Sequence, residues 1–139
     1  MFLERKLKDQ SVWINIDSDN FKRNARIYQD YKIDQETIEY ALDKNERAHM
    51  DYNRENGTVT FIYNVLNLEM GKDYYETLPM TFIVQTNRLI TISNADNAYV
   101  VAMMDNYLKH HEPVTVYKFL FASLEFISNS YYPIIEKMD

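Results

Sequence analysis

No cysteine occurs anywhere in the chain. Disulfides, thiolate metal sites and cysteine nucleophiles are therefore excluded, a composition that suits a reducing compartment. Glycine is almost as scarce, with Gly57 and Gly71 the only two in 139 residues. A phosphate-binding Walker loop or a dinucleotide GxGxxG fingerprint needs more glycines than that. Positive charge is also short: 15 Lys and Arg stand against 21 Asp and Glu, a formal net charge of −6. Nucleic acid is a poor partner for such a surface, because its affinity rests on cationic contacts to phosphate. Residues 1–6, MFLERK, turn charged at once and do not open a secretory signal. Nor does any run approach the roughly 20 apolar residues needed to span a bilayer. The richest stretch, Phe119 to Ile127, is short and carries Glu125. The expectation is one soluble domain over residues 1–139.

What the chain does have is 46% hydrophobic residues and 12 tyrosines, against 7 Phe and the single Trp13. That composition belongs to an ordinary globular protein, and the tyrosines suit half-buried sites with a wet hydroxyl. Val12 to Ile16 reads as a strand. Asp17-Ser18-Asp19-Asn20 follows as a cluster of helix caps, leading to a helix with Phe21, Ala25, Ile27 and Tyr28 inward. Asp34 predicts the N-cap of a second helix with Thr37, Ile38, Ala41 and Leu42 on one face. Ala48, Met50 and Tyr52 alternate before Asn56-Gly57, a tight-turn signal, and Thr58 to Leu66 returns as a strand. A loop over 67–77 precedes a second hairpin, Met80–Val84 and Leu89–Ile92, around Thr86-Asn87.

Helical spacing then takes over. Asn94 or Asp96 is the expected cap of a helix carrying Ala98, Val101, Met104, Tyr107 and Leu108. Pro113 marks a boundary. From Thr115 a stripe runs through Val116, Phe119, Leu120, Leu124, Ile127, Tyr131, Ile135 and Met138, interrupted by Pro133. The order predicts an α/β fold, a mixed sheet with helices packed on it. No internal repeat is visible.

Chemistry-bearing constellations are few. His49 stands alone on a predicted strand, and the neighbours His110 and His111 diverge on a helix, so a zinc site is not indicated. No serine sits in a G-x-S-x-G context. With no nucleophile, phosphate loop or metal cluster, the chain does not read as an enzyme. Glu39 and Asp43, four residues apart on a predicted helix, are candidate ligands for a hard cation such as magnesium, and equally a solvated face.

Three segments carry a resemblance. Ile38-Glu39-Tyr40-Ala41-Leu42-Asp43 runs through Arg47 to the strand Thr58-Val59-Thr60-Phe61-Ile62-Tyr63. Phe82 to Ile92 forms a hairpin about an Asn turn. Phe119 to Asp139 ends on Tyr131-Tyr132-Pro133-Ile134-Ile135. Together these are similar to the N-terminal cytoplasmic domain of the CorA family of magnesium and divalent cation transporters, from about Val12 onward. The resemblance implies an α/β/α sandwich with helices on both faces of a mixed sheet, and a last helix leading to a stalk and membrane helices absent here. It also implies a homopentamer of identical subunits at the cytoplasmic face of the membrane, gated by magnesium held between neighbours. The family's acidic pair falls on Glu39 and Tyr40, so one carboxylate becomes a phenol. A helical aspartate of the family falls on Glu125, and Ala48 replaces a proline. The family's Gly-Met-Asn tripeptide does not occur in this chain. The alternative is a free-standing α/β binding or scaffold protein, and a stop codon after Asp139 would decide for it.

Overall fold

The computed structural model describes residues 2–21, 23, 25–68 and 76–130. Its centre is a six-stranded sheet in the order β1-β2-β6-β5-β4-β3. The strands are β1 Phe2–Lys6, β2 Val12–Asp17, β3 His49–Asn53, β4 Thr58–Leu66, β5 Thr77–Gln85 and β6 Arg88–Ser93. Four helices accompany them: α1 Arg26–Asp30, α2 Gln35–Leu42, α3 Ala98–Lys109 and α4 Val116–Asn129. Every pairing is antiparallel except β2 with β6, where Ile14 stands beside Ile90. The sheet is mixed, as expected.

Alternation along the central strands divides the interior into two cores. Trp13, Phe82 and Leu89 point to one face, where Val100 and Met104 of α3 and Phe119 and Leu120 of α4 cover them. Their neighbours Ile14, Ile83 and Ile90 point to the other, against Tyr28 of α1, Ile33 between the two helices and Ile38 of α2. β2 and β6 are withdrawn from solvent on both faces, with apolar Trp13, Ile14, Ile16, Leu89, Ile90 and Ile92 beside buried polar Asn15, Thr91 and Ser93. The result is an α/β/α sandwich. A ladder of polar groups runs through it: Trp13 Nε1 donates to Thr91 Oγ1 (3.1 Å), Thr91 Oγ1 to Asn15 Oδ1 (2.7 Å), and Asn15 Nδ2 to Ser93 Oγ (3.0 Å). The indole nitrogen only donates, which fixes the direction of the whole chain.

Strand β1 is not legible as a strand in the sequence. It lies at the sheet edge with four of its five residues exposed, so it carries no burial pattern. Its register comes from a turn in which Asp9 and Gln10 both have positive φ, 61° and 62°, and Ser11 N–H bonds Lys8 O. That turn suits the twist of a hairpin without the usual glycine. The expected helix after β2 shrinks to α1. Asp17 instead accepts from Asp19 N–H (3.0 Å) and Asn20 Nδ2 (2.9 Å), a local turn that competes with helix formation.

Asp34 caps α2 as expected, accepting from Thr37 N–H at 2.8 Å. Neither Asn94 nor Asp96 caps α3. The N-cap is Asn97, and its side chain is spent on Asn94 N–H and Pro79 O. Thr115 caps α4, accepting from Lys118 N–H at 3.2 Å. The first hairpin closes through four residues, Arg54–Gly57, with only Gly57 at positive φ (70°) and its N–H bonded to Asn53 O. The second turns through Thr86-Asn87 as expected, Asn87 taking φ 58°. Much of the expected 67–77 loop, and the helical stripe from Tyr131 with its break at Pro133, lie outside the described residues.

Candidate regulatory metal site

Glu39 sits on the last turns of α2, half-exposed. Its carboxylate is already engaged: Arg23 Nη1 donates to Oε2 at 2.6 Å and to Oε1 at 2.7 Å, and Gln35 Nε2 to Oε1 at 2.9 Å. Asp43 is the C-cap residue of the same helix and accepts from Asn45 N–H at 2.9 Å. Glu125 is exposed on α4. Because α2 and α4 cover opposite faces of the sheet, one chain does not bring Glu39 and Glu125 together. Among the described residues, no group of three or more His, Asp or Glu is placed to hold a metal ion. The donors among the described residues of one chain therefore do not fit a closed magnesium site.

Tyr40 faces a groove of about 530 Å³ between α2 and the β3–β4 hairpin, together with Asp34, Glu36, Asp51 and Glu55. Its hydroxyl makes a short hydrogen bond to Glu36 Oε1. That bond first, then burial and the surrounding carboxylates, push the phenol up to about 12. His49 packs edge-on against the Tyr40 ring at 4.9 Å. Its Nδ1 lies 2.8 Å from Arg47 O, and Nε2 lies 3.6 Å from Asp51. The Glu36–Tyr40 spacing of four was readable on a helix. Arg23 as partner of Glu39, 16 residues away, had no such signal.

Elsewhere, Arg5 on β1 and Asp105 on α3 pair at 2.7 Å, and Lys109 Nζ stands 3.6 Å from the same carboxylate. The bond to Arg5 holds the Asp105 carboxyl below its usual range. Tyr28 is buried on α1 with no hydrogen-bond partner for its hydroxyl among the described residues, and burial followed by the charge of Asp17 raises its pKa. At the end of α3, His110 Nδ1 donates to Asn106 O and His111 Nδ1 to Tyr107 O, and the His111 ring stacks on Tyr107 at 3.9 Å. No helix among the described residues is long and apolar enough to cross a membrane.

A three-layer sandwich on a mixed open sheet is also the architecture of known cation-transporter cytoplasmic domains. The soluble domain of CorA from Methanocaldococcus jannaschii superposes with a TM-score of 0.68 at 18% identity, covering 92% of this chain and 51% of that one. The complete CorA magnesium transporter of the same organism gives 0.73 at 17% identity, covering 96% and 42%. The ZntB cytoplasmic domain of Vibrio parahaemolyticus gives 0.62 at 14% identity, covering 91% and 52%. This chain thus spans about half the length of those structures or less. No individually curated protein matches it in sequence. The model of the CorA-like Mg2+ transporter protein family matches residues 8–139, and the chain belongs to that family.

Proposed function

We propose that this chain is the soluble, cytoplasmic N-terminal domain of a CorA-like transporter of magnesium or a related divalent cation, with a regulatory and not an enzymatic task. The observation that carries this reading is the family match over residues 8–139, joined to a shared fold with a complete magnesium transporter over 96% of this chain. The working unit would be a homopentamer whose membrane helices lie in sequence outside this domain. Ion passage belongs to those helices. This domain would set how readily the pore closes.

Glu39 and Glu125 lie on opposite faces of one chain, so a shared task needs two subunits. Side by side across a subunit contact, they would hold a hydrated magnesium through its water shell, since the ion dehydrates reluctantly. Asp43 lies one turn beyond Glu39 and would add negative charge. Tyr40, a phenol hydrogen-bonded to Glu36, supplies no charge there. Regulation is then a coupling between metal binding and subunit closure, so losing these carboxylates changes gating and leaves ion selectivity alone.

The test measures ion flux against internal magnesium for the full-length protein and its Glu39→Ala/Glu125→Ala variant. The variant should need more internal magnesium to close. Superimposable curves would show both carboxylates to be a solvated surface.

A further inference from the structure

The link between α1 and α2, the β3–β4 turn and the β5–β6 turn meet at one end of the sheet around a recess of about 190 Å³. Strand register builds its floor. Gln85 pairs with Arg88, and the pairing of Val59 with Val84 sets Thr58 opposite Gln85. By alternation all three side chains lie on the sheet face that carries Ile83 and Ile90. Lys32 adds a wall from the link, where its φ of 59° turns the chain, and Asn56 and Thr86 complete the rim.

The recess is lined by two cations and no carboxylate, in a chain of net charge −6. Elsewhere Arg5, Arg23, Arg26 and Lys109 are matched with Asp or Glu. Among the described residues Lys32 and Arg88 have no such partner. Arg88 is nevertheless held from two sides. Its Nε donates to Gln85 Oε1 at 2.6 Å, and its guanidinium carbon sits 4.9 Å from the centre of the Tyr31 ring. Gln85 is fixed in turn, its Nε2 donating to Tyr31 O at 2.7 Å. Neither Nη of Arg88 donates to a described residue, so the fork is oriented and unspent. Asn56 Oδ1 accepts from Thr58 N–H at 3.0 Å, which leaves the Asn56 Nδ2 to donate. A fixed guanidinium, an ammonium, an amide and hydroxyls form a donor set suited to a phosphoryl oxyanion.

We propose that this recess binds a soluble phosphoryl compound, a mono- or diphosphate held by Arg88 and Lys32. Its surroundings limit the ligand to a compact anion. Asp34, Glu36 and Glu55 line the acidic groove on the other side of Thr58, and an extended polyanion would meet their repulsion. The inference uses this chain's own donors and does not depend on the transporter reading.

Pyrophosphate titrated into the isotope-labelled chain, read by amide chemical shifts, tests it. The amides of Lys32, Thr58, Gln85 and Arg88 should move together and saturate with a dissociation constant below about 1 mM in ~0.1 M salt. Lys32→Gln and Arg88→Gln should each weaken binding at least about tenfold, because each removes a charge-assisted contact. Lys32 is exposed, so its replacement leaves the fold intact. Lys8→Gln, in the adjoining recess beyond Thr86, should bind as the wild type does. No saturation up to about 10 mM, or equal affinity in the wild type and every variant, overturns the proposal. The soluble ligand is also ruled out if vesicles containing phosphatidic acid shift these amides and pyrophosphate does not.

Discussion

Tyr40 shows how one side chain sets the chemistry of a surface. A carboxylate at that position would repel Glu36, Glu46 and Asp51, whereas a protonated phenol donates to Glu36 and draws α2 toward the β3 hairpin through His49. The hydrogen bond to Glu36 first, then burial and the neighbouring carboxylates, raise its pKa from 10.0 to about 12. The sign follows: the hydrogen bond stabilises the fold fully below pH 10 and is lost as pH climbs through about 12. Ultraviolet titration should show one tyrosine ionising near 12, absent in Tyr40→Phe and shifted back toward 10 in Glu36→Gln. A Tyr40 phenolate forming at the ordinary value would mean that the bond to Glu36 is not made in solution.

At the scale of elements, the sequence was readable wherever a side chain does a local job. Asp34 and Thr115 cap their helices through their own side chains, and Thr86-Asn87 turns its hairpin. It misled where two local preferences compete, as when Asp17 ties up a turn and delays α1 to Arg26. It was silent where the pattern is set by the rest of the fold. Strand β1 exists because β2 offers an edge and Arg5 reaches Asp105, 100 residues away. Candidate site residues follow the same division. Glu39 was identifiable on its helix, but its capture by Arg23 depends on the loop between β2 and α1. Among the elements, α4 seals the larger core. Phe119 is fully buried, edge-on to Trp13 and stacked with Tyr107 at 6.1 Å. Phe119→Ala should cost about 3–5 kcal/mol in urea unfolding. A loss under about 1 kcal/mol would mean that α4 is not docked on the sheet.

For the whole molecule, the layers themselves account for stability. Both cores are closed by apolar side chains, and the polar ladder from Trp13 to Ser93 is satisfied within the protein. Thermal unfolding in chelator should therefore be as cooperative as in magnesium. Binding should be weak as well, since the Glu39 carboxylate faces the Arg23 guanidinium at 2.6 Å and an incoming hydrated ion has to displace it. One exposed carboxylate and an outer-shell ion give a dissociation constant no tighter than about 1 mM. At about 0.1 mM magnesium the melting temperature should then stay where it is, because the ligand contribution is a small fraction of RT. Arg23→Gln releases Glu39 from a surface pair worth about 0.2–1 kcal/mol, so it should tighten magnesium binding by up to about fivefold. Calorimetry on the wild type, Arg23→Gln and Arg23→Gln/Glu39→Gln separates the cases. Binding that strengthens with the first change and disappears with the second assigns the ion to Glu39. Saturable binding in the micromolar range that ignores both changes places it elsewhere on the domain.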